Sequence, residues 1–169
     1  MIKNNFQHHQ LTLSNHDAVQ RTAIVVQIRN KKYKLAAIYN PPSTKLDPEH
    51  LNEIFSDNTP TVIAGDFNSK HPNWNSTRSN RNGQILKNYC ELKHINVSAP
   101  ECPTFFPTIN RQIPDVLDII IHKNISSPEN INSYPILTSD HNIIELPPYS
   151  PRPRPWAEDR GQPQLLSLP

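Results

Sequence analysis

Three short stretches of this chain hold side chains able to move protons or bind a phosphate. In Thr61-Val62-Ile63-Ala64-Gly65-Asp66-Phe67-Asn68, an apolar run ends in a glycine turn that presents Asp66 and Asn68. Strand alternation sets both on one side, at the carboxyl end of a strand, where α/β sheets hold ligands. An Asp there can take a proton or bind a cation, and an Asn can donate to a phosphoryl oxygen. A Gly-Asp turn closed by an Asx hydrogen bond is the plainer alternative. In Asp115 to Ile121, Asp118 interrupts an apolar strand, a costly place for a carboxylate without a cation, an imidazole or donors beside it. Ser139-Asp140-His141 supplies the candidate partner, because a carboxylate on one imidazole nitrogen fixes the tautomer and raises the basicity of the other. The plainer alternatives are an exposed edge for Asp118 and a solvated, Ser-capped turn for Asp140 and His141.

These groups need strands to position them. Ala23 to Ile28 and Leu35 to Tyr39 flank the polar link Arg29-Asn30-Lys31-Lys32 and read as a hairpin, and Thr61 to Ala64, Val116 to Ile121 and Asn142 to Leu146 read as further strands. Two helices are predicted: Asp47 to Phe55, with Asp47 as N-cap and Pro48 at the first helical position, and Asn82 to Lys93, where Ile85, Leu86, Tyr89 and Leu92 recur at helical spacing. The mixture is α/β. Residues 1–22 are a polar opening segment expected to be disordered, residues 23–146 the domain, and residues 147–169 a Pro-rich tail without periodicity, also expected to be disordered.

Composition sets the outer bounds. At 169 residues the chain has the length of one domain. Eighteen Pro, only 3 Gly and a mean hydropathy of -0.65 disfavour an all-helical fold and confine the core to a few segments. No run reaches the roughly 18 apolar residues of a membrane span, and Met1 to Gln10 lacks the apolar core of a signal peptide. A nuclear or cytoplasmic, non-secreted protein is expected. The formal charge of +2 is too small to name a polyanionic partner. Cys90 and Cys102 are expected to stay reduced.

In their order along the chain, these pieces resemble the endonuclease/exonuclease/phosphatase superfamily, the fold of apurinic endonucleases and DNase I-like nucleases. The likeness is closest to the endonuclease domain of jockey-type non-LTR retrotransposons. Leu35 to Pro42 looks like that group's strand and YxPP segment, and Gly65 to Pro72 with Trp74 like its GDFNAKHxxW block. Asn80 and Gly83 fit its TNxxG element, Pro114 to Ile119 its PxVLD strand, and Ser139-Asp140-His141 its terminal SDH. The resemblance spans roughly Ile24 to Leu146. It departs at the start, where the superfamily carries an Asn and then a metal-binding Glu ahead of the YxPP strand. The 38 residues before Tyr39 contain no Glu, so the chain looks like the carboxyl-terminal two-thirds of such a domain.

The resemblance implies a partial four-layer α/β sandwich of two packed mixed sheets flanked by helices, with its first strands missing. It implies Mg²⁺-dependent phosphodiester hydrolysis, nicking DNA at a target site for reverse transcription, impaired here. Asp66 would position or deprotonate the water, Asn68 and Tyr39 would contact the phosphate, and His141, oriented by Asp118, would act on the scissile phosphate. Asp140 with Asp66 would hold Mg²⁺, or Mn²⁺, weakly for want of the Glu. Asn80, His71, Trp74 and Ser139 are the candidate substrate contacts. The partners implied are DNA and a reverse transcriptase domain in the same polyprotein, with no membrane. The competing expectation is a non-catalytic, retroelement-derived remnant or binding module.

Overall fold

The computed structural model describes residues 6–15, 18–108, 113–128, 130–135 and 139–146. Six strands form a mixed sheet in the order β1-β2-β3-β4-β6-β5: β1 Gln7–Gln10, β2 Gln20–Ile28, β3 Lys31–Tyr39, β4 Thr61–Asp66, β5 Asn96–Ser98 and β6 Asp118–Lys123. Strands β3 and β4 run parallel and the other neighbours antiparallel. A second, two-stranded antiparallel sheet joins β7 Asn132–Tyr134 to β8 Ile143–Glu145. The fold class is therefore α/β, and two sheets are present.

The predicted hairpin is longer than its apolar letters. Ile28 pairs with Lys31, so the link shrinks to Arg29 and Asn30, with Arg29 at φ 55. Lys31 and Lys32 pair with Ile28 and Gln27 as part of β3, and Lys34 faces inward: its side chain is buried and its ammonium reaches the Ile54 carbonyl at 3.0 Å and Asp57 at 3.1 Å. A snorkelling stem with a satisfied head fills a position that a hydropathy pattern scores as polar.

One sheet face and two helices enclose the core. Ile38, Ile63, Ile119 and Ile121, on β3, β4 and β6, join Leu51, Ile54, Leu86 and Tyr89 in one buried cluster. The helix at 47–55 is shorter than predicted: α1 covers Glu49–Asn52, Pro48 is its N-cap, and Asp47 accepts from the Glu49 N–H at 3.0 Å. The second helix, α2, spans Arg81–Lys93 and is capped by Asn80, whose Oδ1 takes the Gly83 N–H at 2.7 Å. Cys90 and Cys102 are both free thiols.

Three expectations need correcting or setting aside. Within the strand expected at 142–146, Ile143–Glu145 forms β8, which pairs with β7 and not with the main sheet. The polar opening segment contains β1, an exposed edge strand that pairs with β2 through its backbone and so needs no apolar side chains. The Pro-rich tail, residues 147–169, lies outside the described residues.

Candidate active site

Strand β4 ends and strand β6 begins with a carboxylate, at the same end of the sheet. Their antiparallel register places Asp66 directly opposite Asp118. Gly65 permits the close approach of β4 to β3, since a Cβ there would lie 1.9 Å from the Ile38 carbonyl oxygen and its φ is +148°. Past Asp66 the chain turns through Asn68 at φ 44, a left-handed position that Asn tolerates. Asp66 Oδ1 accepts from the Asn68 backbone N–H and Oδ2 from the Asn68 side-chain amide, both at 2.8 Å. The two polar side chains therefore meet through an Asx-type turn and not through strand alternation. The second amide hydrogen of Asn68 goes to the Asn40 carbonyl at 3.0 Å. Both amide donors are spent on the protein, so a bond from Asn68 to a phosphate requires one of these to open.

His141 joins the two strand ends. Its Nδ1 lies 2.8 Å from Asp118 Oδ2 and its Nε2 3.9 Å from Asp66 Oδ2. The imidazole edge is about a third exposed, while both carboxylates are largely buried. Burial, with a contribution from the Asp118 charge, raises the Asp66 pKa from 3.8 to about 6, against the pull of the Asn68 N–H and His141. A buried carboxylate that titrates near neutrality, beside a carboxylate-oriented imidazole, can accept a proton from water and stabilise charge on an adjacent oxyanion.

A segment that carried no signal in the sequence holds these groups together. Thr104 Oγ1 accepts the N–H of Leu117 and of Asp118, each at 3.0 Å, fixing the start of β6. The Thr104 carbonyl takes the Asn142 N–H at 2.7 Å, Phe105 bridges to both Asp115 and His141, and the Phe105 ring lies 5.0 Å from the imidazole. A hydroxyl that accepts from backbone donors leaves no pattern in polarity or spacing. Asn40, fully buried beside Pro41, was likewise unmarked as the residue whose carbonyl orients Asn68.

The remaining sequence candidates fall into two groups. Near the cluster, Tyr39 is the β3 partner of Asp66 in register and is 41% exposed, with its phenol available to solvent. Ser139 Oγ accepts the His141 N–H at 3.1 Å, and Asp140 holds the Phe106 N–H through its carbonyl, leaving its exposed carboxylate without a contact among the described residues. The others are absorbed by packing. Asn80 spends its side chain on Lys70 N–H, Gly83 N–H and the Asn68 carbonyl; Trp74 is buried and donates to the Ser69 carbonyl; and His71 caps the 3₁₀ turn Pro72–Trp74 with its ring 5.1 Å from that of Trp74. Asn80 thus supports Asn68 from behind.

The donor set does not fit a divalent cation by itself. Among the described residues there is no group of three or more His, Cys, Asp or Glu that could hold a metal ion. Glu53 is no substitute, since its carboxylate is paired to Arg21 at 2.8 Å.

The adjacent strand ends of this α/β fold thus converge on an Asp, an Asp–His pair and an Asn-locked turn. The chain belongs to the family described as endonuclease-reverse transcriptase, whose pattern it matches over residues 33–145. It is 29% identical over 143 residues to the probable RNA-directed DNA polymerase from transposon X-element of Drosophila melanogaster, covering 83% of this chain and 16% of that protein. It is 27% identical over 143 residues to the RNA-directed DNA polymerase from mobile element jockey of the same species, again 83% of this chain and 16% of the other. The chain therefore spans about a sixth of the length of these relatives. Its fold is similar to that of the endonuclease domain of TRAS1, a telomere-specific non-LTR retrotransposon, with a TM-score of 0.71 at 14% identity over 88% of this chain and 72% of that one. An inositol polyphosphate 5-phosphatase domain matches less well, with a TM-score of 0.52 at 12% identity over 83% of this chain and 53% of that one.

Proposed function

We propose that the domain hydrolyses DNA phosphodiesters, making single-strand nicks, and does so weakly. The observation that carries this reading is the cluster in which His141 is held by Asp118 on one nitrogen and faces Asp66 with the other. Water attacks phosphorus and gives its proton to Asp66 Oδ2, while the P–O bond to the leaving strand breaks and that oxygen takes a proton from solvent. The His141 Nε2–H, when the ring is charged, faces the negative charge gathering on the phosphoryl oxygens. Tyr39 stands beside Asp66 as a further donor to phosphate. Mg²⁺ would supply charge relief on the phosphate, but Asp66 and Asp140 are too few anchors to hold it well, so weak occupancy and slow turnover follow. A reverse transcriptase domain in the same polyprotein would use the nick, which is the arrangement that the relatives' names suggest.

The same metal argument favours a second reading, a non-catalytic remnant. Relaxation of supercoiled plasmid, with Mg²⁺ titrated upward beside an Asp66→Ala control, separates the two. Slow nicking that rises with Mg²⁺ and disappears in the variant supports the hydrolase. No nicking at any concentration, or nicking unchanged in Asp66→Ala, leaves the remnant. Fast nicking at low Mg²⁺ that requires Asp66 would show that the metal set is complete and the impairment wrong.

A further inference from the structure

Of the cations described, Arg21, Lys34, Lys70 and Lys87 are committed to carboxylates. Lys45, Arg78 and Arg81 are exposed, and their side chains form no ion pair or hydrogen bond among the described residues. Two segments carry them, the loop with Lys45 and the stretch from Arg78 to Arg81 that leads into α2. Asn82 accepts the Leu46 N–H at 2.9 Å and donates to the Thr44 carbonyl at 2.8 Å, which fastens the loop carrying Lys45 against the start of α2, where Arg81 is the first residue. Asn80 closes the other side: its backbone N–H reaches the Lys70 carbonyl at 3.0 Å and its side chain reaches the Asn68 carbonyl at 2.9 Å. Arg81 is thus the chain neighbour of the residue that braces the turn holding Asp66. The acidic residue nearest in sequence, Asp47, directs Oδ1 to the Glu49 N–H. No acidic residue occupies the first turn of α2, so Arg81 sits at a helix end that repels cations. Residues that break a local rule at an exposed position are ones to test for function.

We infer that Lys45, Arg78 and Arg81 form a track for the phosphate backbone of duplex DNA, leading the scissile phosphate toward Asp66 and His141. This rests on the hydrolase reading and adds the surface that positions its substrate. Contacts of this type fix register and carry no base sequence, so binding through the track is sequence-independent and salt-sensitive.

The fold supplies its own control. Arg29, Lys31 and Lys32 are three exposed cations at the far end of β3, eight residues from Tyr39 and so about 26 Å from the site at the rise of a strand. Neutralising either trio changes net charge equally, so only position differs. Binding of a fluorescein-labelled 30-base-pair duplex is measured by anisotropy in EDTA, across a salt series, with the full chain. The Lys45→Gln, Arg78→Gln, Arg81→Gln variant should bind at least tenfold more weakly near 0.1 M salt, and its slope of log affinity against log salt should fall by about 2 to 3, at roughly 0.9 per lost phosphate contact. The Arg29→Gln, Lys31→Gln, Lys32→Gln variant should stay within twofold of the parent. Equal losses in both trios, no loss in the first, or no binding by the parent would overturn the track. Because no cleavage is read, a track confirmed here stands even where Asp66→Ala leaves nicking unchanged, and that result would count only against the hydrolase.

Discussion

Asp66 and Asp118 face one another as register partners across β4 and β6, and His141 lies between them, 2.8 Å from one and 3.9 Å from the other. Burial, with the Asp118 charge beside it, raises the Asp66 pKa to about 6.

The pH dependence of Asp66 follows with a definite sign. Its folded pKa of about 6 lies above the ordinary 3.8, so its contribution to stability is present below pH 3.8 and lost as pH rises through about 6. The loss is about 3 kcal/mol. Urea unfolding of the parent and of Asp66→Ala at pH 4 and pH 7 should show the balance moving toward the variant by up to that amount. A difference independent of pH would contradict the shift.

Asp118→Asn tests the orientation of the imidazole. The carboxylate requires a proton on Nδ1 and leaves Nε2 toward Asp66, whereas an amide can donate to Nδ1 and reverse the tautomer. Nicking should fall by about 10- to 100-fold with circular dichroism unchanged, and the ¹⁵N shifts of His141 should report the tautomer change. Unchanged ring shifts would show that Asp118 does not set the tautomer.

Gly83 is a packing requirement in the turn behind Asn68. A Cβ there would meet the Lys70 carbonyl oxygen at 1.8 Å, a backbone atom that cannot step aside alone. Gly83→Ala should destabilise the domain by about 2 kcal/mol or more, as overpacking does, and should weaken nicking together with Tm. An unaltered Tm would mean that the loop relaxes freely.

Asp115 anchors the same region. It is buried, pairs with Lys70 at 3.0 Å and accepts from the backbone N–H of Thr77 and of Val116. Burial acts to raise its pKa, but the Thr77 and Val116 N–H groups and Lys70 outweigh it and hold the carboxyl below its ordinary value. Its contribution is therefore present at neutral pH and lost as pH falls below the ordinary carboxylate range. Asp115→Ala should cost about 3 kcal/mol at pH 7, with part of that recovered by adding Lys70→Met, as judged by urea unfolding. A cost below about 1 kcal/mol would show that the pair is solvent-relaxed.

The legible parts of the fold are those where chemistry leaves a mark on the pattern of residues. Asp118 stood out because a carboxylate in an apolar strand demands a partner, and His141 is that partner. The hairpin, β4 and α2 followed from apolar spacing, while the Asn80 cap of α2 did not. Strand β1 was invisible because an edge strand held by backbone bonds has no need of apolar letters. The placement of β8 was missed because three alternating residues specify a strand without specifying its neighbour. Thr104 and Asn40 act through backbone groups at long sequence separation, which no local spacing records.

The central claim is that Asp66, Asp118 and His141 act as one hydrolytic unit. Its most direct test is supercoiled-plasmid nicking at raised Mg²⁺ by Asp66→Ala, Asp118→Ala, His141→Ala and the triple variant. Groups that work as a unit lose nearly everything at the first substitution, so each single variant should fall close to the triple. Losses that multiply independently, or any single variant nicking at the parental rate, would contradict the account.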